Sequence, residues 1–150
     1  MRALLQRVSK ARAVWVDTGE TLGEIDSGLT VLICTEPGDG TEQVDFFARK
    51  ITNMRLFEDE AGKMNRSVLD VGGAVLLVSQ FTLAATWRKG NRPSFSAAAD
   101  PEMAEKLYLE LHDALKGLGV DVETGRFRSH MQIELTNDGP VTIWMDSNDR

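Results

Sequence analysis

The chain has 150 residues, 17 lysines and arginines against 23 aspartates and glutamates, and a net charge of −6 at pH 7. That length suits one domain spanning residues 1–150 and hides roughly 70% of the unfolded surface, so no staples are needed to hold a core. A composition of 42% hydrophobic and 27% charged residues excludes disorder, and the acidic balance excludes a generic nucleic-acid coat, which needs a positive surface.

The start, Met1 to Val8, is charged within and too short for a signal peptide, and no apolar run approaches the roughly 18 residues of a membrane helix. A cytoplasmic protein with no membrane partner is expected. Ala3 to Val8, Ala13 to Asp17, Thr21 to Ile25 and Leu29 to Cys34 read as short strands. Turn signals such as Asp17-Thr18-Gly19 and Asp26-Ser27-Gly28 separate them. Cys34 is the single cysteine and closes an apolar run, so it reads as a core residue and excludes an internal disulfide. With His112 and His130 as the other soft ligands, no Cys/His metal site is expected.

Thr41 is placed as the N-cap of a helix running to about Arg55, with Val44, Phe47, Ala48, Ile51 and Met54 at helical spacing. Asp59-Glu60-Ala61-Gly62 reads as a hairpin turn between short segments near Leu56-Phe57 and Ser67 to Val71. Gly72-Gly73 breaks the chain before a strand from Ala74 to Val78, apolar on both faces and so buried. Asp100 and Pro101 open a second helix whose buried stripe is Met103, Leu107, Leu111, Leu115 and Leu118. Val120 to Thr124, Met131 to Thr136 and Val141 to Asp146 read as closing strands. Two outer helices among many strands predict an α+β fold with a curved, partly barrel-like sheet.

Chemistry concentrates where the buried strand runs into Ser79-Gln80-Phe81-Thr82. Hydroxyls, an amide and backbone N–H groups on a rigid strand end could hold a reacting carbonyl, or could merely cap the next turn. Neither His112 nor His130 is marked as a base, and His112 fits a solvated or partly buried helix face. Asn137-Asp138-Gly139-Pro140 reads as a turn in which glycine permits close approach and proline removes a donor. Trp15, Trp87, Trp144 and Phe127 read as core or interface before they read as base-stacking platforms. Charge is uneven: residues 1–12 and Arg88-Lys89-Gly90-Asn91-Arg92 are basic and without acid, which leaves either scattered solvated charge or a local basic patch.

Several segments together resemble one family. Met1-Arg2-Ala3 through Gln6-Arg7-Val8, Phe57-Glu58-Asp59, Gly62 to Ser67, Ser79 to Leu83, Lys89 to Phe95, Glu123 to Phe127 and Asn137 to Thr142 are similar to D-aminoacyl-tRNA deacylases, in order and over essentially the whole chain. The resemblance implies a homodimer with its active site at the subunit interface. It would hydrolyse the ester between a D-amino acid and the 3′ end of tRNA, without metal or other cofactor. It assigns Ser79, Gln80, Phe81 and Thr82 to the catalytic pocket. Gly139 and Pro140, joined by a cis peptide, would enter the partner subunit's pocket and exclude L side chains, a filter that glycyl-tRNA would pass. Arg7 would brace that loop, and Phe127 and Met131 would hold the adenine. The chain departs from the pattern after Phe127, where relatives commonly carry a small residue, often glycine. Here the segment is Arg128-Ser129-His130, in which Arg128 and His130 are larger and could add a phosphate contact. Water attack is expected, with backbone N–H groups near Phe81 and Thr82 holding the oxyanion and the ribose 2′-hydroxyl assisting. A Thr82 nucleophile is the competing version. A non-catalytic tRNA-binding module and a general esterase are the rival classes.

Overall fold

The computed structural model describes residues 1–149. Its strands are β1 (Arg2–Trp15), β2 (Thr21–Ile25), β3 (Gly28–Cys34), β4 (Phe57–Glu58), β5 (Met64–Arg66), β6 (Ala74–Ser79), β7 (Asp121–Thr124) and β8 (Met131–Asp146), with helices α1 (Thr41–Asn53) and α2 (Pro101–Gly117). The main sheet runs β2-β1-β3-β6-β7, and β8 adds to the other edge of β1. β1 is antiparallel to β2, β3 and β8, whereas β6 lies parallel to β3 and to β7. The two parallel steps are the crossovers that carry α1 and α2, which parallel pairing requires.

Both helices lie on one face. Phe47 and Ile51 of α1 and Leu111 and Leu115 of α2 pack with Leu5, Leu29, Val31, Val75 and Leu77. The concave face holds a second cluster of Val8, Ala11, Ala13, Ile25, Leu76 and Val78, with Ile133 and Leu135 against it. The sheet nearly closes there: a Cβ added to Gly23 of β2 would stand 2.5 Å from the Thr124 carbonyl oxygen of β7. The expected α+β architecture with a partial barrel and two outer helices is therefore what the chain adopts.

Some boundaries differ from expectation. The first two predicted strands are one, because Ser9, Lys10 and Arg12 simply face solvent while β1 changes partner from β3 to β2. Arg7 and Val8 are both buried and Ser9 and Lys10 both exposed, so the alternation slips at that point. The last two predicted strands also join. Asn137 pairs with Val8 and Thr142 with Gln6, so four residues, 138–141, stand opposite Arg7 alone. The expected turn exists as an excursion from an otherwise continuous strand. Gly40, not Thr41, caps α1, and the Gln43 Oε1 accepts from the Gly40 N–H at 2.9 Å. The Asp100 cap holds, with its carboxylate accepting from Met103 N at 3.0 Å. Leu118 falls outside the α2 stripe, and Tyr108 takes a place in it. The hairpin turn holds as well: Asp59 Oδ1 accepts from Ala61 N at 2.9 Å and Lys63 N at 3.0 Å. Ser67 to Val71 forms a turn braced by Asp70 Oδ2, which accepts from Ser67 N at 2.8 Å. Among the described residues no helix is long and apolar enough to cross a membrane.

Candidate functional site

β6 is buried along Val75–Val78 and ends at half-buried Ser79. Gln80 still donates its N–H to the Ile33 carbonyl at 2.7 Å, which fixes the strand end. The chain then enters a 3₁₀ turn, Phe81–Ala84. Its first N–H groups, those of Phe81 and Thr82, are the ones a helical turn leaves without partners inside it. The Gln80 Nε2 donates to the Thr82 hydroxyl. No side chain that could act as a base bonds that hydroxyl among the described residues.

Arg2 holds this turn in place. Its guanidinium donates to the Leu83 carbonyl at 3.1 Å and pairs with Glu36 at 3.1 Å and Asp146 at 3.0 Å. Nothing in local sequence marks Arg2 for this task, because the three partners come from distant segments.

A cleft of about 660 Å³ opens beside the strand end. Ser79, Gln80 and Phe81 line it from the end of β6, and Phe127 and Met131 line it from the stretch leading into β8. Phe127 is half-buried and leans on Tyr108, with ring centroids 6.0 Å apart. Met131 is tied by its sulfur, which accepts from Arg126 N at 3.2 Å. Thus five of the expected residues meet at one place. Thr82 stands on the 3₁₀ turn next to Phe81 and does not itself line the cleft. The cleft also touches Cys34, whose thiol burial pushes up to about 11. The core reading of that residue holds, and the thiol stays protonated at neutral pH.

Arg126, Arg128 and His130 line the same cleft. Arg126 lies over the Trp15 ring, 4.0 Å from its centroid. Arg128 adopts φ 59°, the one positive φ of a non-glycine among the described residues. Arg128, a large cationic residue, thus adopts a backbone conformation that glycine favours. Trp87 and Trp144, at 69% and 48% exposure, are not core residues. His112 is partly buried on α2 and bonds Asp113 at 2.9 Å.

Arg7, Gly139 and Pro140 do not reach this cleft. Ser79 is level with Ile33 and Ala3, whereas Arg7 is level with Leu29 and Val75. Four residues of strand separate them, about 13 Å at roughly 3.3 Å per residue. The Gly139-Pro140 peptide is cis, Gly139 has φ 121°, and both residues are exposed. Arg7 is buried at 7% exposure beneath the excursion. It donates to the Leu56 carbonyl at 2.7 Å and the Asp138 carbonyl at 3.3 Å. Asn137 completes the frame, donating to the Arg7 and Val141 carbonyls, both at 3.0 Å.

Residues 4–146 match the family model described as D-Tyr-tRNA(Tyr) deacylase. A D-aminoacyl-tRNA deacylase of Ruegeria pomeroyi is 60% identical over 146 residues, covering 97% of this chain and 99% of that protein. Its counterpart in Paracoccus denitrificans is 57% identical over 150 residues, covering 100% and 99%. Among solved structures, one described as c-Myc DNA Unwinding Element Binding Protein superposes with a TM-score of 0.91 at 38% identity, over 98% of this chain and 99% of the other. A second, described as a probable eukaryotic D-amino acid tRNA deacylase, gives a TM-score of 0.82 at 14% identity over 96% and 97%, a likeness of fold.

Proposed function

The chain belongs to the D-Tyr-tRNA(Tyr) deacylase family and is a D-aminoacyl-tRNA deacylase, and on that premise we propose how its residues divide the work. The terminal adenosine enters the cleft between Phe127 and Met131, and the aminoacyl ester lies along Ser79 to Thr82. Water attacks the ester carbonyl. The free N–H groups of Phe81 and Thr82 hold the developing oxyanion, a term worth roughly 3–4 kcal/mol per donor in acyl transfer. The substrate's 2′-hydroxyl assists proton transfer, since among the described residues no base side chain bonds Thr82. Thr82 itself positions Gln80 through their mutual hydrogen bond and is not the nucleophile.

Stereochemistry is judged by a second subunit. The exposed Gly139-Pro140 pair stands about 13 Å along the strands from the cleft of its own chain, so it serves the cleft of a partner in a homodimer. Proline has no N–H, and the two residues present carbonyls to the substrate's α-amino group. Their rigid surface occupies the space an L side chain would need, a specificity set by exclusion. Glycine carries no side chain and passes, so glycyl-tRNA mischarged on tRNA(Ala) is a second substrate. Arg7 keeps the excursion in shape from below.

The observation that carries this reading is the separation of a built cleft from a braced, exposed Gly-Pro excursion. The test is hydrolysis of D-tyrosyl-tRNA and L-tyrosyl-tRNA side by side. The D ester is consumed and the L ester spared by the unaltered protein. Pro140→Ala alone hydrolyses both esters, and an excess of Phe81→Pro subunits, which lack one oxyanion donor but keep Pro140, restores sparing of the L ester, because the one working site of each hybrid dimer then faces an intact filter. Failure of the mixture to restore that sparing, with both variants folded, assigns filter and cleft to one chain. Binding of tRNA without turnover would leave a non-catalytic module instead.

A further inference from the structure

We propose that the hairpin from Thr86 to Ser94 grips the unpaired nucleotides that precede the terminal adenosine, with Trp87 stacking on a base and Arg88, Lys89 and Arg92 meeting phosphates. The proposal rests on the deacylase reading of the cleft. The hairpin is closed by two backbone bonds between Thr86 and Ser94, at 2.8 and 2.9 Å, and turns at Gly90 with φ 75°. Its base belongs to the cleft: Phe95 lines it and meets the Phe81 ring edge-on at 5.3 Å. Its outer part has no contact that explains its composition. Trp87 is 69% exposed, and Arg88, Lys89 and Arg92 are exposed with no hydrogen bond or ion pair among the described residues.

An exposed indole amid unpaired cations, on a chain of net charge −6, points to a ligand with flat faces and regular negative charge. A single-stranded polynucleotide has both, and stacking with electrostatic contact is how such strands are held without reading sequence. A second copy of the chain fits worse. A two-fold contact through this patch would set the same three cations against themselves. Four residues from Thr86 to the tip give a reach of about 13 Å. That is enough to touch nucleotides beyond the one the cleft encloses. Arg128, which lines the same cleft, adds a further positive charge beside it.

The test compares D-tyrosyl-tRNA with D-tyrosyl-adenosine, which lacks the preceding nucleotides. On the tRNA, Trp87→Ala lowers kcat/KM by about 5- to 150-fold through KM, the range that stacking on one base supports, and Trp87→Phe recovers most of it. On D-tyrosyl-adenosine the gap between Trp87→Ala and the unaltered protein closes. Arg88→Ala/Lys89→Ala/Arg92→Ala makes the salt dependence of tRNA binding shallower by about 2 in log–log slope. The trinucleotide cytidylyl-cytidylyl-adenosine quenches tryptophan fluorescence in the unaltered protein and less in Trp87→Phe. An equal loss on both substrates, no loss on either, or a changed sedimentation coefficient for Trp87→Ala overturns the proposal. If the unaltered protein hydrolyses neither ester, the deacylase reading fails, and the trinucleotide experiment still decides the hairpin.

Discussion

Arg7 is the residue at which stability and chirality should part company. Replacing it with methionine keeps most of the volume and removes the guanidinium. The 2.7 Å bond to the Leu56 carbonyl is buried, so its loss orphans an acceptor and costs roughly 1.5–3 kcal/mol. The Asp138 carbonyl contact is longer, at 3.3 Å, and the Asp138 carboxylate 3.5 Å away is 59% exposed, so that side adds about 1 kcal/mol or less. Methionine also relieves the desolvation of a charge, which trims the total to about 1–3 kcal/mol. For a chain of this size that is a fall in Tm of roughly 2–12 °C by scanning calorimetry. At a temperature where Arg7→Met remains folded, D-tyrosyl-tRNA is still hydrolysed, because the cleft lies elsewhere. Sparing of L-tyrosyl-tRNA is reduced at least about tenfold, since the excursion has lost its support; tenfold corresponds to about 1.4 kcal/mol. Arg7→Lys, which keeps the charge but not the fork of donors, falls between the two. An unchanged Tm refutes the energetics. A lowered Tm with the ratio of D to L hydrolysis intact refutes the bracing role.

Gly28→Ala places a Cβ 1.9 Å from the Ala74 carbonyl oxygen in the middle of the sheet, where neither backbone can yield. It should cost about 3 kcal/mol or more, read as a lower urea midpoint at constant slope. Burial holds the Cys34 thiol up at about 11, so iodoacetamide at pH 8 should alkylate the folded protein at least about 100-fold more slowly than the urea-unfolded chain. Comparable rates would mean the thiol is not held in its protonated form. The Asp59 carboxyl sits below its ordinary range, chiefly through the Lys63 N–H and then that of Ala61. A depressed value in the folded state means its contribution is present above the unfolded pKa, near 4, and is lost as pH falls through the folded one. Asp59→Asn should therefore lose less stability than the unaltered protein on acidification below about pH 4, as followed by circular dichroism.

What sequence reveals here divides by range. The Asp100-Pro101 start of α2 and the Asp59 to Gly62 turn depend on neighbours a few residues away, and both were legible. So was the apolar strand that delivers Ser79 to Phe81. The union of Ala3 to Val8 with Ala13 to Asp17 was not, because polar Ser9, Lys10 and Arg12 resemble a break when their common solvent face is unknown. Asn137 to Pro140 has the composition of a turn. Only the pairing of Thr142 with Gln6 and Asn137 with Val8 reveals that the strand continues past it. The Arg2 contacts to Glu36, Asp146 and Leu83, and the single-sided exposure of Trp87, are likewise products of tertiary placement. Local pattern carries no trace of them. The resemblance supplied what spacing alone left open at the cleft, and geometry then divided its residues into a wall and a distant excursion.

The four-residue excursion in β8 has a bearing on solubility as well. Among the described residues β8 pairs only with β1 and so is an edge of the sheet, 16 residues long, and its outer rim of N–H and C=O groups is a template on which another extended chain could grow. Residues 138–141 cut that rim into two short stretches and place a proline, with no donor, at the cut. Glu134 adds charge on one of the pieces. A long strand that would otherwise invite open-ended stacking is thereby kept from polymerising, and the same interruption restricts what can dock on that edge to a partner shaped around the protruding glycine and proline.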